Sequence, residues 1–94
     1  MTFTPAPEFY YLTQGYFRQD FSELYSDLDE LIEDIVLGFD RYGSKAALKI
    51  ALLEINARLS DEELITLWRN SHAQIYFLHG NELRELFKMI AAAL

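Results

Sequence analysis

Ser26-Asp27-Leu28-Asp29-Glu30-Leu31-Ile32-Glu33-Asp34-Ile35-Val36-Leu37-Gly38-Phe39 carries the plainest periodicity in the chain. Leu28, Leu31, Ile32, Ile35, Val36 and Phe39 recur at i, i+3, i+4, i+7, i+8 and i+11, which is one face of an α-helix and not the alternation of a strand. Ser26 is placed to cap that helix, and the acids just after it suit the positive end of the helix dipole. Gly38, with Gly43 beyond it, marks where the helix stops.

Outward from this helix the rest of the chain repeats the theme. On the N-terminal side, Phe9, Leu12, Tyr16 and Phe17 fall near helical spacing, so Pro7 to about Phe17 reads as a short helix followed by a turn through Arg18–Ser22. On the C-terminal side, Ser44 is an N-cap for a helix to about Leu59, with Leu48, Ala51, Leu52, Ile55 and Leu59 as its main stripe. Ala46, Ala47, Ile50 and Leu53 widen that apolar surface, and a helix so apolar is expected to sit centrally, touched on several sides. Ser60-Asp61-Glu62-Glu63 matches a capping box and opens a fourth helix through Leu64, Ile65, Leu67 and Trp68. Asn70 to Gly80 breaks the pattern; Ile75-Tyr76-Phe77-Leu78 has no second strand to pair with and reads as a connection packed on the core. Asn81 is then expected to cap a last helix with the stripe Leu83, Leu86, Phe87, Ile90 and Leu94. The expectation is an all-α fold: one compact domain of about five helices over residues 1–94, with 1–6 as a loose tail.

Ninety-four residues suffice for one modest core, and with half of them hydrophobic and 15% aromatic the chain is too apolar to be disordered. Cysteine is absent, which removes disulfides, thiolate metal sites and a cysteine nucleophile. The start, MTFTPAPEFYYL, lacks a basic region and a long apolar run, and no apolar stretch approaches the ~20 residues that span a bilayer. A soluble, cytoplasmic protein is expected.

Charge is the outstanding feature. The net charge is −7; residues 19–40 alone hold −8, with eight acids and no Lys or Arg, and the remainder sums to +1. Direct binding to nucleic acid or to an anionic membrane is therefore disfavoured, since both need clustered cations. A solvated helix face is one reading of these acids; a negative surface shaped for a cationic protein is the other, and the complete lack of compensating cations favours it. Asp20, Glu23, Asp27, Asp29, Glu30, Glu33 and Asp34 are the candidate binding residues, with Asp20 also placed to cap a helix.

Catalysis finds less support. Acids on the outside of an amphipathic helix are solvated, whereas acid–base work needs a concave site that separates their pKa values. DLDELIED lacks the glycine and ligand spacing of a calcium loop, and His72 and His79 lack metal-pair spacing. No nucleophile elbow or glycine-rich phosphate loop occurs. The expectation is a protein that is not an enzyme and uses no cofactor or metal. Eight of the fourteen aromatics lie between Phe3 and Tyr25, most of them expected in the core, with Tyr10, Tyr11 or Tyr25 as half-exposed anchors and Trp68 buried.

Tyr16-Phe17-Arg18-Gln19-Asp20-Phe21 resembles the YFHQD-aromatic signature of small immunity proteins from bacterial contact-dependent growth inhibition systems. The likeness runs from about Phe9 to Leu94: an aromatic stretch, the acidic helix at Ser26 to Asp34, a central aliphatic helix, the Leu59–Leu64 "LSDEEL" start, a tyrosine-containing connection and a final helix. The chain departs from the pattern at Arg18, usually His, and at Phe21, often Trp. The resemblance implies a cytoplasmic immunity protein that neutralises a cognate toxin, the basic C-terminal domain of a CdiA-like effector and expectedly a nuclease. Carboxylates would stand where substrate phosphates bind and would speed encounter by steering. A helical adaptor binding a basic segment of another complex is the alternative, and the oligomeric expectation is a monomer or weak dimer.

Overall fold

A computed structural model describes residues 4–17, 27–71, 73 and 79–94. Among these residues five α-helices follow in order: α1 (Pro7–Tyr16), α2 (Leu28–Gly38), α3 (Lys45–Arg58), α4 (Asp61–Asn70) and α5 (Gly80–Ala93), with a 3₁₀ turn, Phe39–Arg41, continuing α2. Among the described residues there is no strand, and no helix is long and apolar enough to cross a membrane. The expected all-α fold is what forms.

Local chemistry accounts for the helix boundaries. Pro7 occupies the first turn of α1, where its missing N–H costs nothing. The Ser44 hydroxyl accepts the Ala47 N–H at 3.2 Å and starts α3. At α4 both halves of the capping box are present: Ser60 Oγ accepts from the Glu63 N–H at 3.2 Å, and Glu63 Oε1 accepts from the Ser60 N–H at 3.0 Å. These two bonds hold the Glu63 carboxyl below its usual pKa. Two caps differ from expectation. Asp27 rather than Ser26 caps α2, its carboxylate accepting the Glu30 N–H at 2.9 Å. α5 begins at Gly80 with His79 as N-cap and no side-chain cap bond, so Asn81 is already inside the helix. Of the tail, Pro5 is buried.

The core is aromatic at its centre. Phe17 meets Trp68 edge-on at 4.9 Å, Trp68 lies 6.0 Å from Phe87, and Phe87 meets Phe9 edge-on at 5.9 Å, a chain of rings that ties the C-terminal end of α1 to α4, α5 and back to α1. Each such pair adds about 1 kcal/mol beyond simple burial. Around them Leu12, Leu31, Ile35, Phe39, Leu48, Leu52, Ile55, Leu64, Leu83 and Ile90 are fully enclosed.

The hub of the packing is α5, not α3. It lies against α3, α4 and α2, and buries Leu83, Leu86, Phe87, Ile90 and Ala91. α3 packs on α5 and α1 through Leu48, Ala51, Leu52 and Ile55, but its opposite side is open: Ile50 is 63% exposed and Leu53 49%. The expected enclosure of α3 is thus corrected, because the described elements cover only one of its sides.

Two features lock α4 and α5 together. A Cβ at Gly80 would fall 2.5 Å from the Asp61 Cα, so the two backbones approach closer than any side chain allows. Arg84, on α5, donates from Nη1 to the Asn56 carbonyl at 2.5 Å and from Nη2 to the Leu59 carbonyl at 2.8 Å, while Nη2 pairs with Asp61 Oδ1 at 3.0 Å. Asn56 Nδ2 returns a bond to the Arg84 carbonyl at 3.0 Å. One guanidinium therefore satisfies the carbonyls left over at the end of α3 and an acid at the start of α4. The expected Ile75–Leu78 run lies outside the described residues; Ala73, just before it in the connection between α4 and α5, is buried.

Candidate functional site

α2 turns Leu31 and Ile35 into the core, followed by Phe39, and half-buries Ile32 and Val36. That placement fixes what faces solvent. Asp27, Asp29, Glu30 and Glu33 are exposed, and Asp34 is half-buried. Asp29 and Glu33, like Glu30 and Asp34, stand one turn apart on the helix, where like charges repel by a few tenths of a kcal/mol per pair. Such a face gains by meeting cations.

A residue missed by periodicity sits among them. Leu37 is 75% exposed, one turn beyond Glu33 and Asp34 on the same outer side. The stripe of apolar spacing passes on either side of position 37, so the pattern gave no reason to single it out. An apolar side chain this open, bordered by carboxylates, combines a contact that desolvates with charges that orient. Tyr42, just past the 3₁₀ turn, is 48% exposed, and Leu28 at the other end of α2 is 39% exposed.

Cations from outside the acidic window gather at the C-terminal end of α2. Lys45 Nζ donates to the Val36 carbonyl at 2.8 Å and pairs with Asp40 Oδ2 at 3.3 Å. Arg41 Nε donates to the Gly38 carbonyl at 3.3 Å. Both answer the helix's unsatisfied carbonyls and its negative dipole end. Asp40 is thereby occupied, and the acidic stretch is graded: negative over its first two turns, compensated at its last.

The seven expected binding residues do not have equal roles. Asp27 is held by its capping bond. Asp34 borders the core: the buried Tyr16 hydroxyl, which has no hydrogen-bond partner among the described residues, has its pKa raised to about 12, first by burial and then by the charge of Asp34 and the Tyr42 phenol, with Arg41 opposing. Asp29, Glu30 and Glu33 are the exposed acids of the helix body. Asp20 and Glu23 lie outside the described residues, as do Arg18 to Phe21 of the signature, Tyr25 and His72. Tyr16 and Phe17, which open the signature, are core residues. Of the expected aromatic anchors, Tyr11 is 43% exposed and Tyr10 is half-buried, while Trp68 is enclosed in the core as expected.

A shallow hollow of about 250 Å³ lies between the starts of α4 and α5, lined by Asp61, Glu62, Ile65, His79, Gly80 and Asn81. Asp61 is already paired with Arg84, and Glu62 and His79 are solvated. Among the described residues no three His, Asp or Glu side chains come together as metal ligands. No protein-family model, no curated protein and no solved structure matches this chain.

Proposed function

We propose that this chain is an immunity protein: it binds a basic toxin domain of a contact-dependent growth inhibition system one-to-one and blocks it by occupying its substrate surface. The observation that supports the reading best is the outer face of α2, where Asp29, Glu30 and Glu33 are exposed beside Leu37, itself 75% open to solvent. Spaced carboxylates imitate a run of phosphates to a nuclease, and an apolar side chain at the edge gives the complex a slow-dissociating anchor. The acids raise the association rate, and that advantage falls with ionic strength.

The test is co-expression with the polypeptide encoded directly upstream, followed by co-purification and growth. The expected result is a neighbour that kills alone and a one-to-one complex that restores growth. Replacing Asp29, Glu30 and Glu33 together by Ala is expected to leave the fold intact and weaken the complex on the order of a hundredfold at low salt. A harmless neighbour, or one that does not bind, refutes the immunity reading. Unchanged low-salt affinity of the triple variant removes α2 from the contact.

A further inference from the structure

The outward side of α3 has a two-heptad seam. Ala46, Ile50, Leu53 and Ala57 are all exposed and follow one another by four, three and four residues, which is the d-a-d-a spacing of a coiled coil. In that register Leu48 and Ile55 are the f positions, and Ala51 and Leu52 the b and c positions. These four are buried in the chain's own core, directly opposite the seam. The helix is thus apolar on two sides for two different neighbours, and only one of them is present among the described residues.

The identity of the second neighbour is written in the flanking charges. Lys49 occupies g and Glu54 the following e, and both flank the seam, Glu54 also pairing with Arg58 one turn on in its own helix at 3.3 Å across an exposed surface. When two copies of this helix run parallel, each g residue faces the e residue five positions on in the other copy, so Lys49 meets Glu54 of the second copy twice by symmetry. Ile at a with Leu at d is the pairing that favours two parallel strands, and the terminal alanines let the backbones come close. α3 is also cationic, with Lys45, Lys49 and Arg58 against Glu54, in a chain of net −7.

We propose that α3 is a self-association surface, on which a second copy of this chain docks in parallel to form a two-fold dimer. Two heptads are too few for isolated peptides, which must be ordered in the same step. Here each α3 is already folded on its own core, so docking orders only side chains. The dimer is weak and concentration-dependent, and its surface is distinct from the acidic face of α2.

Analytical ultracentrifugation of the purified chain, taken up to millimolar concentration, reads the outcome directly. A monomer–dimer equilibrium is expected, abolished in the Ile50→Asp/Leu53→Asp variant. Lys49→Glu and Glu54→Lys are each expected to weaken dimerisation on the order of tenfold. Mixed together they are expected to regain it as a heterodimer. Because the chain has no cysteine, Ile50→Cys gives an orientation test: parallel helices place the two a positions together, and a disulfide-linked dimer forms under oxidation. A monomer at every concentration overturns the proposal. So does a mass that climbs past the dimer, which signals head-to-tail contact, or a cross-link obtained only when Ile50→Cys is mixed with Leu53→Cys, which signals antiparallel helices.

Discussion

The chain opens two helices with acidic clusters, and it uses them in opposite ways. At the start of α4, Glu63 closes the capping box and Asp61 pairs with Arg84, so the acids hold elements together. At the start of α2, Asp27 makes the cap, while Asp29 and Glu33 form no ion pair among the described residues and face solvent. The two clusters look alike as sequence, Asp-Glu-Glu against Asp-Leu-Asp-Glu. What separates them is whether a cation arrives from elsewhere in the fold: Arg84 reaches the first, and Lys45 reaches only the far end of the second. An acid that is engaged in structure is a poor candidate for recognition, and an acid whose neighbours repel it is a good one.

Substitutions separate these roles. The largest effect is expected at the α4 cluster from Gly80→Ala, because the new methyl group meets the Asp61 backbone. A loss of about 3 kcal/mol is expected, read as a fall in melting temperature of roughly 10–20 °C. If the melting temperature holds, the close approach of α4 and α5 is not a constraint. The next effect appears in alkali. The raised Tyr16 pKa means that the unfolded chain gives up this proton near 10 and the folded chain only near 12. Stability from this group is complete below 10 and is lost as pH rises towards 12. Tyr16→Phe is expected to flatten that decline in pH-dependent denaturation curves, and also to be neutral or stabilising at pH 7, since it removes a buried hydroxyl that has no partner among the described residues.

Asp27→Ala is expected to cost about 1 kcal/mol by urea denaturation, the value of a lost cap. It should alter partner affinity less than the outward acids do. Glu33→Lys is expected to change stability least: it replaces a repulsive pair with Asp29 by an attractive one and gains a few tenths of a kcal/mol in the same assay. Its affinity for a basic partner should nevertheless fall, by isothermal titration, more than that of Asp27→Ala. If the two variants trade places, with Asp27→Ala losing more affinity, the division between capping and contacting acids is wrong.

Helix existence was legible wherever the signal was local. The α2 stripe, the Ser44 cap and the Ser60–Glu63 box each depend on residues within a turn of one another, and each forms as read. Features that depend on distant partners were not legible. Gly80 looks like a turn glycine until Asp61 is beside it. Arg84 looks like a surface cation until the ends of α3 and α4 converge on it. The exposure of Ile50 and Leu53 was missed for the converse reason: apolar residues all round a helix show that it has neighbours, not whether those neighbours belong to the same chain. The acids of the candidate site were visible in composition, whereas Leu37 needed the helix to be set on its core before its outward direction appeared.

The Arg84 junction also bears on the order in which the molecule comes apart. It joins residues 23 to 28 positions away and closes α3, α4 and α5 into one unit around Trp68 and Phe87. Amide protons inside that unit should exchange only when the whole molecule opens, whereas those of α2, which this guanidinium does not reach, are placed to exchange earlier through local opening. The segment offered to a partner is then also the one that adjusts at least expense, and binding should slow its exchange most.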